Sequence, residues 1–167
     1  STVPASATLS NTAAGYTTLG GQFQFAAVAG AETDYALFAF QVPAATALIT
    51  GRTLHITGVS IDTINTVVAV ATTPTVFQWA IAVGSTAVSL ATAEGAATKA
   101  PRRMSLGMQS LPIAAAVGAI ATTVIANFEP LCVNAGEFVH IILRMPIGTA
   151  TATEVFRGVV RIESYFE

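Results

Sequence analysis

The side chains able to do chemistry in this chain are few. One cysteine, Cys132, lies in PLCVNAG, and two histidines, His55 and His140, lie in apolar, strand-like runs. A thiol nucleophile needs a base beside it, and His140, eight residues further on, is the candidate considered for that role. The apolar neighbours of Cys132 predict instead a buried thiol acting as a small hydrophobe. A single cysteine also excludes an intrachain disulfide framework and a multi-cysteine zinc cluster. A metal site at either histidine would need further ligands converging from other strands. Each is therefore read as a strand histidine hydrogen-bonded at the surface or at an interface.

The other candidates give no reaction either. The nine carboxylates are scattered along the chain, and the two-carboxylate machinery of a glycosidase has no support. No Gly-x-Ser-x-Gly elbow occurs, and Gly20-Gly21 lacks the lysine and helix of a phosphate loop. Arg144, Arg157 and Arg161 stand in alternating runs, where cross-strand pairing with Glu137, Glu154 or Glu163 is expected.

One charge cluster remains. Lys99, Arg102 and Arg103 fall within KAPRR, with no charge between Asp62 and Glu94 and none between Arg103 and Glu129. A nucleic-acid grip is disfavoured by the net charge of −2 and by the lack of interleaved aromatics. Pro101 and the Gly/Ala-rich approach predict a loop whose cations meet a protein partner, since arginine can bind a carboxylate through two hydrogen bonds.

The elements that must carry these residues are strands. Period-two alternation recurs from about residue 22 onward, and helical periodicity is nearly absent. In VFQWAIAV, Phe77, Trp79, Ile81 and Val83 share one face. EFVHIILRM sets Val139, Ile141, Leu143 and Met145 together, and EVFRGVVRIESYFE sets Phe156, Val160, Ile162 and Phe166 opposite Arg157, Arg161 and Glu163. RTLHITGVSIDTI changes phase across Gly58, which predicts a β-bulge there. QFQFAAV, DYALFAFQV, TAVSLAT and a pair within Met104 to Phe128 complete the strands, with Pro43, Pro74, Pro101, Pro112, Pro130 and Pro146 between them.

Such a chain is expected to be all-β: an antiparallel β-sandwich of the jelly-roll kind over residues 22–167. Residues 1–21 form an extended N-terminal arm with Tyr16 as its one large anchor. Leu111 to Phe128 is uncharged but holds Pro112, Gly118 and Asn127, so two short strands fit it better than a membrane helix. No basic-then-apolar opening predicts a signal peptide.

At 167 residues the chain is large enough to bury a sizeable core. Only 10 % of residues are charged, against about 25 % in an ordinary soluble domain. Thr, Ser, Ala and Gly stand where a solubilising coat should be, so much of the surface is expected to be covered by a partner.

The stretches FQWAIAVGSTAVSLATAEGAATKAPRRMSLGMQSLPI and EPLCVNAGEFVHIILRMPIGTATATEVFRGVVRIESYFE resemble head proteins of tailed bacteriophages. The nearest class is the capsid decoration, or cement, proteins, with the likeness running over about residues 35 to 167 through phrases such as APRR and VNAGEFVHI. The resemblance implies a non-enzymatic virion protein on the outer capsid surface. It would bridge major capsid subunits as a homo-oligomer, a trimer in preference to a dimer, with no cofactor, metal, nucleic acid or membrane. Tyr16, Lys99, Arg102 and Arg103 are the expected partner contacts. The alternative is a receptor- or glycan-binding jelly-roll module of a phage head or tail fibre. A major coat protein of a small icosahedral virus would need a basic arm, and residues 1–25 contain no Lys or Arg.

Overall fold

The structure, a computed structural model, describes residues 7–9, 22–25, 33–44, 51–66, 74–84, 102–145 and 155–167. These contain nine strands and no helix: β1 (Ala7–Leu9), β2 (Gln22–Phe25), β3 (Thr33–Gln41), β4 (Leu54–Asn65), β5 (Thr75–Gly84), β6 (Arg102–Leu111), β7 (Val124–Val133), β8 (Phe138–Met145) and β9 (Val155–Phe166). They form a β-sandwich. One sheet has the order β1-β2-β9-β4-β7 and the other β3-β8-β5-β6. All pairings are antiparallel except β1 with β2. Within the stretch read as an arm, Ala7–Leu9 thus joins a sheet edge; Tyr16 lies outside the described residues, as does TAVSLAT.

The pairing is nested. β5 pairs with β6, β4 with β7, β3 with β8 and β2 with β9, so each pair encloses the one before it. Two further ladders, β4 with β9 and β5 with β8, join these pairs into the two sheets.

Alternation explains the core. Phe77, Trp79, Ile81 and Val83 of β5 are buried together with Val139, Ile141 and Leu143 of β8, against Ile56, Val59 and Ile61 of β4 and Phe156 of β9. Phe156 meets Phe77 edge-to-face, ring centroids 4.9 Å apart, a favoured aromatic geometry. Val160 and Ile162 pack on this core, whereas Phe166, in the same phase, is half exposed. His140 is buried within the sandwich, contrary to the surface or interface position expected of it. β8 lies between β3 and β5, and Ala82 and Ile142, in the phase opposite to the core, are buried with it.

Two glycines break the ladders. Register shifts between Ile56 and Gly58 against both β7 and β9, as the phase change in the sequence requires. A second shift lies opposite Trp79 and Ala80, where Gly107 pairs with Trp79 and Ser105 with Ala80, leaving Leu106 as the extra residue. Gly107 has φ of 131°, a backbone state that side chains disfavour. Before the shift Leu106 is buried; after it Gln109 and Leu111 are buried and Met108 is exposed.

Pro130 does not end a strand. It falls inside β7, where Ile56 pairs with Leu131 and Gly58 with Asn127, so it occupies the irregular stretch between those pairs. β7 is at a sheet edge, where a residue without an N–H is tolerated.

Candidate interaction surface

β6 and β7 close the two sheets on one side of the sandwich, and a buried polar network ties them together. Gln109, 2 % exposed, uses its whole amide. Oε1 accepts from Trp79 Nε1 at 2.8 Å and from Thr63 Oγ1 at 3.0 Å. Nε2 donates to the Thr122 carbonyl at 2.8 Å and to the Ile61 carbonyl at 3.0 Å. Two donors and two acceptors exhaust what a glutamine amide can do. The partners belong to β5, to β4 of the opposite sheet and to the 112–123 connection, so one side chain joins three parts of the fold.

That connection continues the edge of β4. Asn65 donates to the Ala119 carbonyl and Ala121 to the Thr63 carbonyl, both at 2.9 Å, while Ile64 bridges Ile120. The stretch read as two short strands therefore holds the end of β6, a turn-rich connection and the start of β7. No helix among the described residues is long and apolar enough to cross a membrane.

Apolar exposure concentrates here. Met108 (64 %), Ile113, Val117, Ile120 (68 %) and Ile125 (70 %) are five of the eight exposed large hydrophobics among the described residues. No charged residue occurs from Met104 to Phe128. The five are neighbours in sequence and fall on the edge strands of both sheets, Met108 on β6 and Ile125 on β7, and on the connection between them. Of the expected partner contacts, Lys99 lies outside the described residues with Tyr16. Arg102 and Arg103 are not in a loop: they open β6, in register with Val83 and Ala82. Pairing with β5 holds β6 as strand from its first residue, so the expected loop does not include these two arginines.

The outer face of β4, β7 and β9 carries Ile125 in the same cross-strand row as Ser60 and Arg161, and beside it an ion pair. Arg161 bonds Asp62, whose other oxygen accepts from Thr123 Oγ1 at 2.6 Å. The Arg161 hydrogen bond, and next the Thr123 hydroxyl, hold the Asp62 carboxyl below the ordinary carboxylate value. Arg161 thus pairs with Asp62, not with the expected Glu137, Glu154 or Glu163. Arg161 is aligned with Ser60, two residues from Asp62 on the same face of β4.

At the far end of that face Cys132 is exposed, contrary to the buried position expected of it. Strand alternation explains the difference: His55 and Cys132 pair on β4 and β7, one residue out of phase with the buried pair Leu54 and Val133. The Cys132 sulfur lies 3.5 Å from His55 Nδ1, and His55 Nε2 lies 3.1 Å from Glu167 Oε2. Tyr165 stacks on the His55 ring, centroids 4.9 Å apart and planes 6° from parallel. Cysteine and glutamate meet opposite edges of one imidazole, so the three cannot surround a single ion, and no metal-binding group of three such residues occurs among the described residues.

The sequence offers His140 as the nearer histidine and, with that base set aside, predicts a buried thiol; His55 is not indicated as a neighbour of Cys132. His55 and Cys132 are distant in the chain, and only the β4–β7 register brings them together. Gln109 was missed as well, the one available signal being a glycine two residues before it. No protein-family model, curated protein or solved structure matches this chain.

Proposed function

We propose that this chain is a structural particle component: a decoration, or cement, protein that binds the outside of a phage head as a homo-oligomer and stabilises contacts between major capsid subunits. The observation that carries the reading is the uncharged stretch from Met108 to Ile125, with its exposed Met108, Ile120 and Ile125. Left in water, these side chains forgo about 25 cal/mol for every Å² of apolar surface that a partner could cover. An interface of about 1,200–2,000 Å² would supply such a cover.

The strand order supports the same reading. The nested pairs β2–β9, β3–β8, β4–β7 and β5–β6 are those expected of a jelly roll, the architecture proposed for this sandwich and one used by viral capsid and lectin domains. Architecture alone does not assign function, so weight rests on the exposed apolar stretch and the sparse charge.

The test is attachment. Particles stripped of the protein should lose heat resistance and regain it when the purified chain is added back. Ile120→Asp and Ile125→Asp, at exposed positions, should keep the isolated fold and reduce particle binding at least tenfold. Unchanged binding by both variants, or stripped particles as heat-resistant as complete ones, would overturn the proposal.

A further inference from the structure

The Cys132 cluster lies outside the interaction surface and is independent of the particle reading. We propose that Cys132 is a reactive thiol site for small disulfides, with His55 as its base and Glu167 as the group that orients and supports that base.

The geometry carries this. With its proton on Nε2, His55 donates to Glu167 at 3.1 Å and leaves the Nδ1 lone pair facing the sulfur at 3.5 Å. The thiol can then donate to Nδ1. Its other acceptor, the Pro130 carbonyl, is more distant at 3.8 Å. Moving the proton from sulfur to Nδ1 leaves an imidazolium between a thiolate and a carboxylate, so both new charges have a neighbour of opposite sign. The parallel Tyr165 ring fixes the imidazole plane. The groups facing the site come from all three strands that build it: His55 from β4, Cys132 from β7, and Tyr165 with Glu167 from β9 and the residue after it. The sulfur is exposed, so a reagent can reach it.

The reaction balances without an added oxidant. The Cys132 thiolate attacks one sulfur of R–S–S–R and forms an Sγ–S bond as the original S–S bond breaks. The electron pair leaves on R–S⁻, which takes the proton from Nδ1. Cys132 is oxidised to a mixed disulfide and half of the reagent is reduced to a thiol.

The experiment follows the folded protein with 5,5′-dithiobis(2-nitrobenzoic acid), reading the released thiolate by absorbance. At about pH 7 His55→Gln should react roughly tenfold more slowly than the natural chain, and Glu167→Gln about two- to threefold more slowly. At about pH 10, where hydroxide can take the thiol proton directly, the variants should converge on the natural rate, because the base is no longer needed. A purely structural role for His55 would slow both conditions alike. Should His55→Gln fail to fold, Glu167→Gln, changed at an exposed position, carries the test. Rates within a factor of 1.5 of the natural chain at pH 7 in every folded variant would overturn the assignment. So would a folded protein that stays unreactive at pH 10.

Discussion

Two of the bulges, at Gly58 and at Gly107, solve the same geometric problem in opposite chemical settings. At Gly58 apolar residues continue in the core on either side of the shift: Ile56 before it, Val59 and Ile61 after it. At Gly107 the residue brought inward is a glutamine, and the apolar Met108 is sent outward. The first bulge preserves a hydrophobic face. The second exchanges a hydrophobic position for a saturated amide, and in doing so turns the β6 edge into a surface that displays methionine.

The largest expected effect comes from removing what the second bulge delivers. Gln109→Leu keeps volume in the core but strands the Trp79 N–H, the Thr63 hydroxyl and two carbonyls. At about 1–3 kcal/mol for each group left without a partner, with some relaxation, the loss should be roughly 3–5 kcal/mol in urea unfolding. A loss below about 1 kcal/mol would mean that water takes over the amide's role.

Comparing the glycines directly sharpens the contrast. Gly107→Ala forces a side chain into the left-handed region and should cost about 2–3 kcal/mol. At Gly58 the obstacle is steric: an added Cβ would meet Asn127 Oδ1 at 2.9 Å and Glu163 Oε2 at 3.2 Å, both flexible side-chain ends. Gly58→Ala should therefore cost about 1 kcal/mol, and Asn127→Ala in the same chain should recover most of it. If Asn127→Ala gave no relief, the restriction at Gly58 would lie in the backbone, as it does at Gly107.

The smallest effect is electrostatic. The Asp62 carboxyl titrates below its ordinary value in the folded state, so its contribution is complete above the unfolded value and is lost as pH falls through the folded one. Both partners are partly solvated, which limits the pair to about 0–1 kcal/mol. Between about pH 5 and pH 2 the natural chain should lose slightly more melting temperature than Asp62→Asn, and salt should shrink the difference. Equal losses would remove the pair from the stability of this face.

What could be read from residues alone follows the same division. The faces of β5 and β8 and the bulge at Gly58 were legible because burial there follows an apolar period of two, which local sequence records. Gly107 was hidden because its core residue is polar and its surface residue apolar, so alternation gives no warning. The neighbours of His55 and Arg161 were hidden for another reason: strand register sets them, and register is a long-range property. The basic run was legible as a charge cluster but not as the opening of β6, since pairing with β5 outweighs the local Pro101 signal.

The nested strand order also governs how chain entropy is lost. Val83 and Arg102 meet across about 20 residues, while Phe23 and Phe156 meet across about 130, which as one unaided closure would cost about 1.7 kcal/mol more. Nesting removes most of that excess. Once the inner strands have paired, each outer pair closes only the short segments that flank it, so no step has to confine the whole intervening chain at once.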